Sequence, residues 1–197
     1  MSTPAAGARA DAVRNRALVL DAAVALLATP GAPLTVDAVA RKAGVGAGTV
    51  VRAFGGKDAL VDAAVSRLLE PVVGRARELL AETTPYLALR AFLGELLAFQ
   101  SAYHPIGDHL GELNLPATTA LRADLVAVVH EMLDGARRDG EIRTDLDQAA
   151  VTLLIGETAF AIARSGPLSP ELTHAYLSVL FDGLRPPSRR PTSADSA

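Results

Sequence analysis

The chain has 197 residues, half of them apolar, with few aromatics and no cysteine. Disulfides, thiolate metal sites and cysteine nucleophiles are therefore excluded, and the surplus of Ala, Leu and Val favours helices, where these side chains lose little entropy. The formal net charge of −3 is unevenly spread: residues 1–60 hold seven Lys/Arg against four Asp/Glu, and the rest hold twelve against eighteen. A small basic head on an acidic body suits a local footprint on nucleic acid. No stretch approaches the roughly 18 apolar residues of a membrane span. Residues 1–10 lack the apolar core of a signal peptide. The expectation is a soluble cytoplasmic protein with no membrane partner.

Residues 1–9 and 186–197, rich in Pro, Ser, Thr, Ala and Gly, read as disordered tails. The first helix is expected over 10–28, with Val13, Ala17, Leu20, Val24 and Leu27 on its core face. Thr29-Pro-Gly31 ends it. Thr35 is a suitable N-cap for a short helix over 36–42, Gly44 breaks that helix, and a second short one follows over 47–53. Gly55-Gly56 ends this helix, and the next runs from Lys57 to about Leu69, where Pro71 kinks or stops it. Further helices are expected over 72–81, 85–103, 116–139, 147–164 and 170–184, with a short turn at 106–111, punctuated by Pro85, Pro105, Pro116, Gly140 and Gly166-Pro167. The fold class is all-α, with about nine helices. A three-helix N-terminal domain over 10–56 precedes a C-terminal helical bundle over 57–185.

Ala40, Gly44 and Val50 carry the first functional signal. Where two short helices meet at a corner, the first needs a small side chain, the turn a residue that tolerates positive φ, and the second an apolar plug. Ala40, Gly44 and Val50 fill these roles, with Val36, Val39, Val45 and Phe54 completing a small core. Such a helix-turn-helix leaves the outer face of its second helix free to enter a major groove.

The run Leu20-Asp-Ala-Ala-Val-Ala-Leu-Leu27, then Thr35-Val-Asp-Ala-Val-Ala-Arg-Lys-Ala-Gly-Val45, Gly48-Thr49 and Phe54-Gly-Gly-Lys57-Asp-Ala-Leu60 resembles the tetracycline-repressor (TetR) family of bacterial regulators. The resemblance covers about residues 10–65. It implies a repressor that binds a double-stranded DNA operator as a homodimer and is released by a small-molecule effector. It places the DNA contacts at Thr35, Ala47, Gly48, Thr49, Val51, Arg52 and Lys57. Thr35 and Lys57 would meet phosphates at helix N-termini, and Arg52 would pair with a guanine. The sequence departs from the family pattern at Val51, Ala53 and Gly46, where Tyr, His or Tyr, and a small polar residue are usual. The recognition helix thus lacks several phosphate contacts, for which Arg9, Arg14, Arg16 and Arg52 are the available compensation.

An effector pocket is expected within residues 66–165, lined by Phe92, Leu96, Phe99, Gln100, Tyr103, Leu125, Val129 and His130, with Leu113, Met132 and Glu95 as further candidates. Its apolar composition favours a hydrophobic or mixed ligand. Phe92, Leu96, Phe99 and Tyr103 form one helical stripe, which also suits plain core. Homodimerisation is expected through the last two helices. Val151, Leu154, Ile155, Ile162, Leu172, Tyr176, Val179, Leu180 and Leu184 spread over more than one face, and Ala150, Gly156, Ala159 and Ala163 would let a partner approach. No catalytic residue, metal or cofactor is expected. His104, Asp108, His109 and Glu112 form the nearest metal-like cluster, but Pro105 and Gly107 interrupt any helix there. Two other readings stay open. One is a helical small-molecule-binding protein or enzyme that retains the head without strong DNA binding. The other is an interaction module that uses its N-terminal helices on a protein partner.

Overall fold

The computed structural model describes residues 4–106, 113, 115–165 and 168–187. Among these residues every regular element is helical: α1 (Pro4–Leu27), α2 (Val36–Ala43), α3 (Ala47–Phe54), α4 (Lys57–Glu82), α5 (Pro85–Tyr103), a 3-10 turn (His104–Ile106), α6 (Pro116–Arg138), α7 (Gln148–Arg164) and α8 (Pro170–Leu184). Two expectations change. The first helix starts at Pro4, so residues 4–9 are helix rather than tail. The helices expected over 57–69 and 72–81 are one 26-residue helix with Pro71 inside it. At 1.5 Å per residue that helix is about 39 Å long.

α1 packs only through its second half. Val19, Ala22, Ala23 and Leu27 are buried at helical spacing, whereas Val13 is 71% exposed and Ala17 is exposed too. The expected stripe was therefore rotated and too long, because no described residue covers the first turns, where residues 9–14 are all exposed. A head core forms from those α1 residues with Val39 and Ala40 of α2, Val50 of α3, and Leu60, Val61, Ala64 and Val65 of α4. The head thus runs past residue 56. Ile106 from the 3-10 turn enters the same core, tying it to the end of α5.

A second core joins the C-terminal part of α4 (Ala76, Leu79) to α5, α6, α7 and α8 through residues such as Phe92, Met132, Leu133, Ile155 and Phe181. α6 crosses the start of α5 so closely that a Cβ on Gly135 would lie 2.5 Å from Pro85 Cγ. Arg143 closes the last helix: its backbone N–H donates to Leu184 O (2.8 Å) and its guanidinium to Gly183 O (3.2 Å), where the helix dipole is negative. The Arg143 guanidinium also holds the Asp145 carboxyl at a pKa of about 2.

Sequence reading missed a buried polar contact between α4 and the start of α6. Asp62, on the buried face of α4, is 7% exposed. Its carboxylate accepts from the Thr118 amide (2.8 Å), the Thr118 hydroxyl (2.7 Å) and the Ala117 amide (3.0 Å). These are the first free N–H groups of α6, whose own N-cap, Leu115, offers no side-chain acceptor. One helix caps another. Burial pushes the Asp62 pKa up, but the hydrogen bonds from Thr118 and Ala117 outweigh burial and hold it below the ordinary carboxylate value.

Replacing Asp62 with Ala should cost about 1–3 kcal/mol in denaturant unfolding, since it leaves buried donors unpaired. Asp62→Asn, which keeps one acceptor, should cost less. A depressed folded pKa means the contribution is complete above about pH 4 and is lost as pH falls through the folded value. Wild type should therefore lose stability below about pH 4 more steeply than Asp62→Asn. Parallel acid unfolding curves for the two proteins would contradict the capping role.

Candidate nucleic-acid interface and ligand cavity

The corner between α2 and α3 is built as its residues require. Thr35 caps α2, its hydroxyl accepting from Ala38 N at 3.1 Å. Gly44 closes the helix at φ 69°, ψ 29°, a left-handed conformation open to glycine at little cost. Its N–H donates to Arg41 O and that of Val45 to Ala40 O at 3.0 Å, the paired closure that satisfies two terminal carbonyls. Ala40 is 4% exposed and Val50 1%, so the small residue and the plug meet at the junction.

α3 therefore turns Gly48, Val51 and Arg52 outward, with Val51 46% exposed. Thr49 and Ala47 are half-buried at the edge of that face. The Arg52 Nη2 donates to the Thr49 hydroxyl at 3.2 Å. A Cβ on Gly48 would come within 3.4 Å of Arg52 Nη1, so the missing side chain leaves the guanidinium room to lie along the helix. Lys57 is exposed at the first position of α4, and the N-caps Gly46 of α3 and Gly56 of α4 make no side-chain hydrogen bond. Thr35, Gly48, Val51, Arg52 and Lys57 are thus all exposed on the head.

Arg16 does something the sequence did not reveal. It donates to the carbonyl of Ala53 at the end of α3, and its guanidinium lies 4.1 Å from the centroid of the Phe54 ring. Cation and carbonyl attract at a helix C-terminus, and cation and ring attract through the ring quadrupole. Arg16 braces α3 from α1. Arg14 pairs with Asp11 on its own helix, while Arg9 is exposed.

Two adjoining cavities open beside α4. The first, about 330 Å³, lies between α4 and α5 and is lined by Leu68, Pro71, Val72, Phe92, Leu96 and Phe99, with Arg67, Arg75, Glu95 and Tyr103. The second, about 270 Å³, lies among α4, α5, α6 and α7, lined by Val65, Leu68, Leu69, Leu96, Phe99 and Ile106, by Gln100, Tyr103, His104 and Arg122, and by Leu125 and Phe160. Phe99 and Tyr103, with ring centroids 4.9 Å apart, belong to the walls of both.

Of the expected lining residues, Phe92, Leu96, Phe99, Gln100, Tyr103 and Leu125 come together here. Val129 packs in the second core instead, as does Met132. His130 lines neither cavity; its carbonyl accepts from the Gln148 side chain (3.4 Å) beside the start of α7. Leu113 packs against the head core, and Glu95 pairs with Arg75 at 3.1 Å. Of the four metal-like residues only His104 lies among the described residues; Asp108, His109 and Glu112 fall outside them.

The face expected to dimerise is split. Val151, Ile155, Ala159, Ala163, Tyr176 and Leu184 are buried within the chain. Ala159 and Ala163 are therefore internal residues of α7 rather than a surface for a partner; Ala159 packs with Leu97 of α5 and Tyr176 of α8. Leu153 (62%), Leu154 (60%) and Val179 (75%) remain exposed, with Phe160 and Leu172 partly so.

Comparison with known proteins agrees with this geometry. Residues 19–64 match the model for bacterial regulatory proteins of the tetR family, and residues 84–186 that for the C-terminal domain of SbtR-like transcriptional regulators. The chain is similar to the HTH-type transcriptional repressor KstR2 of Rhodococcus jostii, with 27% identity over 210 residues, 95% of this chain and 99% of that one. A TetR transcription regulatory protein from Mycobacterium vanbaalenii is 36% identical, with 90% of this chain and 98% of that chain covered and a TM-score of 0.63. FadR from Bacillus subtilis, solved in complex with stearoyl-CoA, shares the fold at 19% identity, covering 85% of this chain and 98% of that one with a TM-score of 0.71.

Proposed function

The chain belongs to the TetR family of bacterial regulatory proteins, and from that membership we propose a ligand-released repressor that binds its operator as a homodimer. The observation that carries this reading is the sharing of α4. Its first half completes the head core, while Leu68, Pro71 and Val72 further along wall the cavities. A molecule that fills the cavities must push on the helix that carries the head. Release then follows from the difference in the ligand's affinity for two arrangements of α4. KstR2, the relative from Rhodococcus, is itself a transcriptional repressor, and FadR holds an acyl-CoA. A hydrophobic effector suits the mostly apolar walls here.

On the operator, α3 would enter the major groove with Arg52 at base edges and Val51 against a thymine methyl. Lys57, Thr35 and the N-terminus of α4 would meet phosphates. Two heads related by a twofold would reach successive grooves about 34–36 Å apart. The exposed Leu153, Leu154 and Val179 on α7 and α8 supply the apolar surface for that twofold.

Fluorescence anisotropy with DNA from upstream of the gene, titrated at several salt concentrations, separates the three roles. Arg52→Ala should cost about 1–3 kcal/mol and relax base preference. Lys57→Ala should weaken all sequences alike and reduce the salt slope by about 1. Arg16→Ala should weaken binding with the slope unchanged, since it braces α3 instead of neutralising a phosphate. Wild-type affinity in both the Arg52 and Lys57 variants would refute the assigned interface.

Val179→Glu puts a charge into the proposed twofold surface while leaving the intramolecular core alone. Sedimentation should show a dimer for wild type and a monomer for this variant, with operator affinity lost in parallel. A variant that sediments as wild type would place the dimer surface elsewhere.

A further inference from the structure

The two cavities differ in how they treat charge. In the first, each cation of the wall has a carboxylate partner: Arg67 pairs with Asp21 at 2.8 Å, and Arg75 with Glu95 at 3.1 Å. Glu78 and Glu82 lie near the same guanidinium, at 3.5 and 3.7 Å. The second cavity has no Asp or Glu in its described lining. Its polar groups are Arg122, Gln100, Tyr103 and His104. Arg122 is exposed, on the cavity's open side, and makes no ion pair with any described residue. The Gln100 Oε1 is buried with no hydrogen-bond partner. His104 uses Nδ1 on the Ser101 carbonyl at 2.9 Å, which leaves only Nε2 for another partner.

A guanidinium at the open side of an apolar cavity stays hydrated whatever fills the interior, so a neutral ligand gains nothing from it. An anionic oxygen group would instead gain charge-assisted hydrogen bonds from that planar fork. An amide can add to this, presenting its NH₂ to the anion or its oxygen to a neighbouring hydroxyl. The remaining wall, including Leu69, Leu96 and Phe160, is apolar. At about 270 Å³ the site lies just below the roughly 300–1,000 Å³ usual for small-molecule pockets, which suits a small ligand.

We propose that the second cavity binds an amphipathic effector with one anionic oxygen head, in the class of a medium-chain carboxylate, its head on Arg122 and its chain against Leu69, Leu96 and Phe160. The proposal rests on the reading of these cavities as the effector site, and adds the charge of the ligand and the residue that selects it.

Calorimetric titration of the full chain with decanoate, 1-decanol and decyltrimethylammonium, each below its aggregation limit, tests both levels. Decanoate should bind about twofold to fivefold more tightly than the alcohol, the range of a solvent-exposed ion pair, and the cation should bind worst. Arg122→Gln, checked for helix content by circular dichroism, should erase the preference for the carboxylate, and Arg122→Lys should restore part of it. Leu125→Trp, which fills the cavity, should abolish binding of both decanoate and decanol. Equal affinity for acid and alcohol in wild type, both lost in Leu125→Trp, would overturn the anionic head while leaving the cavity reading intact. Binding that survives Leu125→Trp, or no binding by any decyl probe, would overturn the cavity reading itself and this proposal with it.

Discussion

Everything in this molecule depends on α4 being buried at both ends against different partners. Leu60, Val61, Ala64 and Val65 close the head core, and Ala76 and Leu79 belong to the second core. Asp62 fastens the same helix to the N-terminus of α6, satisfying donors that no residue of α6 itself reaches. A helix held in this way cannot slide relative to one core without disturbing the other, because packed interiors do not deform continuously. The position of the head is therefore tied to the second core through α4. That coupling is what a ligand-controlled DNA-binding protein requires.

How much of this was legible in the sequence follows from the range of each interaction. The corner at Ala40, Gly44 and Val50 was readable because it is local: turn chemistry and side-chain size within ten residues determine it. The cavity stripe Phe92, Leu96, Phe99 and Tyr103 was readable because helical periodicity places those residues on one face. Asp62 was not. A lone aspartate on a helix looks like a solvated residue until α6, more than fifty residues away, brings its amides to it. Pro71 misled for a related reason. Proline interrupts an isolated helix at a cost of about 3 kcal/mol, but packing on both sides of it keeps α4 whole. Ala159 and Ala163 were assigned to a partner because small residues favour close approach; both are buried within the chain, Ala159 against Leu97 of α5 and Tyr176 of α8.

The few polar side chains of α3 are held by their neighbours. Gly48 gives no side chain to the DNA, yet its absence lets Arg52 lie along α3 with its guanidinium on Thr49. Arg16 was a candidate for an extra phosphate contact. In the structure its charge is engaged by the Ala53 carbonyl and the Phe54 ring, so it stiffens α3 from behind. In the proposed interface, pre-organising this short helix would lower the entropy lost on binding.

The position of Pro71 then determines how a filled cavity can reach the head. Proline has no N–H, so the Arg67 carbonyl four residues earlier lacks its helical partner, and α4 is most easily bent at this turn. Asp62 and the head-core residues lie on the N-terminal side of this weak point, and Ala76 and Leu79 on the other. Leu68 and Val72 of the cavity wall straddle it. In the proposed mechanism a ligand pressing there would act on the most compliant turn of the helix, with the Asp21–Arg67 ion pair on the same side as the head. The lever and its hinge would then occupy the same segment, so under the proposed reading a differential contact of about 1–3 kcal/mol, typical of allosteric coupling, would be enough to reorient the head.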